Sequence, residues 1–364
     1  MPSKSNKDTV MKEWKITEGY KVKEDEVSWE EMKGTTEKTT EAHRHAHRIV
    51  ALDGYGLNPG DLSWEQIESL GEFTVYDRTA VDEIVERAAQ ADIVLTNKTP
   101  LSAATLDKLP RLRYIGVLAT GYNIVDIEAA KERGIVVTNI PAYSTDSVAQ
   151  MVFAHLLHIA NDVAAYAQSV KAGDWANCKD FCYLKSPIFE LAGKTIGIVG
   201  FGHIGSAVAR IAHAFGMKVL AKTSKSREAL PDYVSPVSWE TLLAESDVIT
   251  LHCPLTDSTR NLINADSIAR MKPTAIVINT GRGPLVNEHD LAEALNSGRI
   301  KAAGIDVLSQ EPPRADNPLI AARHCYITPH IAWATFEARE RLMQIAADNI
   351  RQYIDGHTVN QVNR

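Results

Sequence analysis

One stretch narrows the possible folds more than any other: KTIGIVGFGHIGSAVARIAHAFG, Lys194 to Gly216. Its Ile- and Val-rich start reads as a buried strand. That strand runs without a spacer into Gly200-Phe201-Gly202-His203-Ile204-Gly205, after which apolar residues return at helical intervals. Strand, glycine turn and helix in immediate succession open a βαβ unit, and a second strand, KVLAKT, follows directly. Gly200 permits the tight turn, Gly202 lets backbone approach a diphosphate, and Gly205 lets helix and strand pack closely. The diphosphate would rest on the free N–H groups and positive dipole end of the helix. The segment therefore predicts dinucleotide binding.

The same rhythm fills the rest of the chain. From Arg48, the runs RIVALD, EFTVYD, DIVLTN, RYIGVLA and IVVTNI are five candidate strands. Between them SWEQIESL, AVDEIVERAAQ, SAATLDKL and DIEAAKERG have helical spacing and plausible caps. A long apolar helix is expected from about Ser147 to Lys171. A second series then begins: KTIGIVG, KVLAKT, DVITLHC, AIVINT, KAAGIDV and CYITPH, with a last helix from about Thr335 to Asp355.

Strands alternating with helices build parallel sheets, and 364 residues exceed one ordinary core. The expected fold is α/β: two Rossmann-like, doubly wound, parallel-sheet domains with the active site in the cleft between them. Residues 47–147 with 334–364 would form the substrate-binding domain and residues 148–333 the dinucleotide-binding domain, closing about hinges near Ser147 and Ala334. Residues 1–46 stand apart, with nine Lys/Arg, ten Asp/Glu and little apolar periodicity. They read as a mobile, mixed-charge extension.

Composition excludes several classes. A net charge of -7 argues against nucleic acid or a membrane surface as partner. No run approaches eighteen apolar residues, and the N-terminus lacks the apolar core of a signal peptide, so the cytoplasm is the expected location. Four cysteines do not make a disulfide scaffold. Cys178 and Cys182 have no second Cys or His pair at a zinc spacing, and His43, His45 and His47 read as a solvated polar run, so no metal site is expected. MVFAHLLHIA is apolar all round, more than one domain face needs, which suggests a homodimer built partly on it.

The second strand of the dinucleotide unit should end in an acid that accepts the ribose hydroxyls of NAD. It reads KVLAKTSKSRE instead, with Lys222, Thr223, Ser224, Lys225 and Arg227 and no carboxylate before Glu228. Hydroxyls and cations accept the 2′-phosphate that an acid would repel. Two readings stand: NADP or dual use, and a neutral turn that still holds NAD.

Three further segments, INTGRGPLV, GIDVLSQEPP and YITPHIAW, each follow an expected strand of the second series. With the glycine segment they resemble the D-isomer-specific 2-hydroxyacid dehydrogenase family over roughly residues 48 to 360. The resemblance implies an NAD- or NADP-dependent oxidoreductase that passes a hydride between the cofactor and a small D-2-hydroxy acid/2-keto acid pair. It implies Arg282, Glu311 and His330 as catalytic residues, and chemistry supports each. An imidazole suits transfer of the hydroxyl proton because it titrates near operating pH. A carboxylate beside it fixes the tautomer and stabilises imidazolium, and a guanidinium fork can bind the substrate carboxylate.

The resemblance likewise assigns the cofactor to Gly200, Gly202, His203, Ile204, Gly205, Thr223, Cys253, Thr280 and Asp306. It assigns the substrate to Leu118, Ala119, Thr120 and Gly121 of VLATGYNIVD, with Arg282 and Trp333. Those four loop residues would offer backbone N–H groups to a carboxylate, or they form an ordinary βα turn. Trp333 walls the pocket or is a domain-interface aromatic. His252 and His324 lie in or before strands and read as structural. LTNKTPL, NIPAYSTDSVAQ, DFCYLKSPIFELAGK and HIAWATFEAR resemble the family's glycerate dehydrogenase (hydroxypyruvate reductase) branch. This implies D-glycerate and hydroxypyruvate, or glyoxylate, as substrates. Phosphoglycerate dehydrogenase and a dehydrogenase-fold redox sensor are the alternatives.

Overall fold

Twelve strands in two parallel sheets carry residues 47–364, which are the residues that the computed structural model describes. The charged extension, with His43 and His45, lies outside them. The first sheet holds β1 (His47–Ala51), β2 (Gly71–Val75), β3 (Ile93–Thr96), β4 (Tyr114–Val117) and β5 (Val136–Thr138), in the order β2-β1-β3-β4-β5. The second holds β6 (Thr195–Val199), β7 (Lys218–Lys222), β8 (Val234–Pro236), β9 (Val248–Leu251), β10 (Ile276–Asn279), β11 (Ala302–Ile305) and β12 (Cys325–Ile327). Its order is β12-β11-β10-β9-β6-β7-β8. All pairings within these sheets are parallel. β3, β4, β9, β10 and β11 are buried at every residue, because helices cover both faces; this is why they read as unbroken apolar runs.

These orders place two ligand crevices. A doubly wound sheet opens at its carboxyl edge where the strand order reverses. In the second sheet that point lies between β6 and β9, and in the first between β1 and β3. β8 was not expected. Three residues long, at a sheet edge and ending in Pro236, it carries too little pattern to separate from a loop.

The helix expected over Ser147–Lys171 is two helices, Thr145–Asn161 and Val163–Lys171. Asp162, at φ 48° and ψ 40°, ends the first, and Asp is among the few residue types that tolerate this left-handed conformation. The first helix buries Val152, Phe153 and Leu156 in the core of the second sheet. The last helix, Phe336–Ile354, is capped by Thr335, whose hydroxyl accepts the Ala338 N–H. It packs Leu342, Ala346 and Ile350 with Ile49, Leu95 and Tyr114 of the first sheet. Arg339 fixes its start through two bonds to Asp61, of 2.7 and 2.6 Å. The chain thus crosses between the sheets twice, and the crossings meet: Ser147 Oγ and Thr335 Oγ1 lie 2.7 Å apart.

Candidate active site

The glycine turn lies at the switch point of the second sheet. Gly200 has φ +92°, and a Cβ built there would stand 2.6 Å from the Cys253 backbone N, so turn and β9 loop touch. A Cβ on Gly205 would stand 2.1 Å from Gly200 O, because the helix His203–Ala214 presses against the strand that leads into it. A Cβ on Gly202, the residue before that helix, would meet nothing within 4 Å. Its open side leaves room for a ligand on the helix N-terminus, where His203 is exposed and Ile204 half-buried. Thr280, one residue beyond β10, has a buried hydroxyl with no protein partner among the described residues. A buried orphan hydroxyl at the carboxyl edge fits a ligand that completes its hydrogen bonding. The residues present therefore suit a dinucleotide.

At the adenosine end, Thr223 Oγ1 accepts the Lys225 N–H at 3.1 Å and closes the turn. Arg227 is spent elsewhere: its guanidinium donates to the carbonyls of Pro231, Val234 and Asp232. Of the cations counted for a 2′-phosphate, Lys222 and Lys225 remain exposed at the strand end without such commitments.

Three groups converge beyond β10, β11 and β12. His330 Nδ1 meets Glu311 Oε2 at 2.6 Å, while Glu311 Oε1 accepts the Leu308 N–H at 3.0 Å, so both carboxylate oxygens are held. Burial alone would raise the Glu311 carboxyl. The His330 hydrogen bond and charge, the Leu308 N–H and the charge of Lys98 outweigh it and hold the carboxyl below its ordinary range. The Arg282 turn packs on the same loop, since a Cβ on Gly283 would lie 2.0 Å from the Leu308 carbonyl carbon. His330 itself sits at φ 54°, a conformation that costs roughly 1–2 kcal/mol in a non-glycine residue.

Asp306 holds the His330 turn in place. Its carbonyl accepts the His330 N–H at 2.8 Å, and its carboxylate accepts Thr328 Oγ1–H at 2.6 Å and the N–H groups of Ile331 and Ala332. Asp306, expected to meet the cofactor, is 2 % exposed, and its carboxylate already accepts three protein donors that fix the turn. Thr328 in turn meets His155 Nε2 at 3.1 Å. Burial pushes the His155 imidazole down, and pushes that of His252, bonded to Thr250, down to about 3. His252 does not suit proton transfer near neutral pH.

The first sheet supplies the opposite wall. A Cβ on Gly121 would lie 2.7 Å from Arg282 Nη2, which places the guanidinium directly against the loop after β4. The four-residue anion nest needs correction to three. Leu118 is a core residue, 1 % exposed, whose N–H donates to Thr96 O at 2.8 Å. Among the described residues Ala119, Thr120 and Gly121 are not seen donating their N–H groups to protein acceptors. Thr120 instead fixes the loop by donating its hydroxyl to Ile140 O. Trp333 packs on the first-sheet core and meets Tyr143 edge-on, with ring centroids 6.4 Å apart, which favours the interface reading.

Tyr143 was missed. Buried near Arg282, its phenol is pushed up to about 12, mainly by desolvation. Asp53 was missed too: its carboxylate takes the N–H groups of Asn97, Lys98 and Thr99 at the β1/β3 switch point. An acid immediately after a strand, facing a second strand's loop, was the available signal.

The chain is similar to known proteins in sequence and in fold. The family described as D-isomer specific 2-hydroxyacid dehydrogenase, NAD binding domain, matches residues 153–332. A hydroxypyruvate reductase of Blautia hydrogenotrophica is 50% identical over 321 residues, 87% of this chain and 100% of that protein. A glycerate dehydrogenase of Methylorubrum extorquens is 42% identical over 318 residues, 86% and 98% of the two chains. An acyclic imino acid reductase solved in complex with NADPH and D-Arg matches with a TM-score of 0.76 at 32% identity, covering 86% of this chain and 99% of that one. The glycine turn, the His330–Glu311 pair and a relative matched along its whole length agree: the chain belongs to the D-isomer-specific 2-hydroxyacid dehydrogenase family.

Proposed function

We propose that the protein reduces hydroxypyruvate to D-glycerate with NADH or NADPH, accepts glyoxylate more weakly, and catalyses the reverse oxidation. The observation that carries this reading is the His330–Glu311 pair at 2.6 Å, set beside the Arg282 turn in a cleft whose far wall is the Ala119–Gly121 loop. The names of the two relatives above support the choice of substrate.

Gly200, Gly202, Gly205 and Thr280 would hold the cofactor, which when bound would supply or accept the hydride. The protein's own residues do the rest. The loop N–H groups and Arg282 hold the substrate carboxylate, and the guanidinium polarises the C2 carbonyl. Glu311 engages His330 Nδ1, which leaves Nε2 to give its proton to the carbonyl oxygen in reduction and to take it back in oxidation. Glu311 stabilises the imidazolium that precedes each proton donation.

A panel of hydroxypyruvate, glyoxylate, pyruvate and 3-phosphohydroxypyruvate, each with NADH and NADPH, tests the assignment. The highest kcat/KM is expected for hydroxypyruvate. Turnover confined to the phosphorylated acid, or none at all, would overturn it.

A homodimer is part of the same proposal. The helix Thr145–Asn161 buries its apolar side in its own domain, so the surplus lies further on. Val163, Trp175, Phe181, Leu184 and Ile188 are all at least half exposed, a clustering along the chain that supports a partner surface. Sedimentation should give about twice 40.0 kDa, and a monomer at micromolar concentration would refute it.

A further inference from the structure

Lys98 is a cation that the reaction outlined above leaves without a task. It follows β3 at the switch point of the first sheet, where a doubly wound fold places its ligand. Its backbone is fixed: the Asp53 carboxylate accepts the Asn97 and Thr99 N–H groups, each at 2.8 Å, and that of Lys98 between them. Its side chain is exposed. Among the described residues it forms no ion pair, yet its charge reaches Glu311 on the opposite wall. A backbone fixed by Asp53 and an exposed ammonium without an ion-pair partner, on a loop at the ligand crevice of this sheet, describe a donor waiting for a ligand atom.

The remaining question is which ligand atom. On the reading above, Arg282 and the loop after β4 take the C1 carboxylate, and His330 takes the C2 oxygen. β3 lies beside β4, so the Lys98 loop is the next one along the same edge. What a three-carbon acid has left to present there is C3.

We infer that Lys98 is the specificity-determining residue of this site, its ammonium donating to the hydroxyl on C3 of hydroxypyruvate. The inference rests on the keto-acid reductase reading. A site that offers a hydrogen bond rejects the analogue unable to accept it, because the donor is then desolvated without a partner. Pyruvate, with a methyl group at C3, is that analogue, and glyoxylate has no C3.

The test compares Lys98→Met and Lys98→Arg with the parent on hydroxypyruvate, pyruvate and glyoxylate, using the preferred reduced cofactor, with melting curves to establish folding. Lys98→Met should lower kcat/KM for hydroxypyruvate by about tenfold or more while changing the values for pyruvate and glyoxylate by less than about threefold. Lys98→Arg should keep most of the preference. Equal losses on all three acids would mean a general attraction for carboxylates, and no loss would mean a solvated side chain. Either result overturns the assignment. Failure of the unmutated enzyme to reduce any 2-keto acid is a separate result, which removes the functional reading and this inference with it.

Discussion

His330→Gln should lower the turnover of hydroxypyruvate by at least ~10² while leaving cofactor affinity within a factor of about two. Glutamine can still bond to Glu311, so the turn built on Asp306 keeps its anchors. What disappears is a proton that can be given up and recovered at one atom. The glycine turn, on β6, shares no side chain with that task and should bind cofactor as before.

Glu311→Gln separates proton transfer from positioning. Reduction needs imidazolium, and a neutral amide no longer stabilises it. The alkaline limb of the reduction profile should therefore move to lower pH. In the parent enzyme Glu311 is held below the ordinary carboxylate range, so its own protonation should appear as a loss of activity only at acidic pH. Near-normal turnover in folded His330→Gln, or an alkaline limb that stays in place in Glu311→Gln, would remove the pair from the mechanism.

The second large effect concerns cofactor choice. Thr223→Asp should move kcat/KM toward NADH relative to NADPH by on the order of 10². Thr223 Oγ1 already accepts the Lys225 N–H. An aspartate can keep that bond with one oxygen and offer the other to the ribose hydroxyls, while its charge opposes a 2′-phosphate. The unmutated enzyme should use NADPH at least as well as NADH. With Arg227 committed to carbonyls, that preference rests on Lys222, Lys225 and the Ser224 hydroxyl. A parent strongly selective for NADH, with no shift in the variant, would make this a neutral turn.

What the sequence revealed follows from how far each signal reaches along the chain. β6 and its glycine turn are local: a strand, three glycines and a helix in adjacent residues specify one another. His330, Glu311 and Arg282 were legible because each stands just past a strand, and parallel strands bring their carboxyl ends to one edge. The break at Asp162 was hidden because helical spacing continues across it, and β8 because three residues show no period. Asp53, Lys98 and Tyr143 act across distances of tens of residues, and nothing near them in sequence names their partners. Leu118 was misassigned for a related reason: a backbone N–H looks the same in a sequence whether a neighbouring strand has claimed it or not.

The bond between Ser147 and Thr335 carries a mechanical meaning. Two chain crossings bonded at one place put their flexible points together, so a rotation of one sheet against the other should be centred there. Such a rotation should part Gly121 from Arg282, with the loops farthest from the crossings moving most. A mouth of that kind should open widest at its rim, where a nucleotide and a small acid would enter.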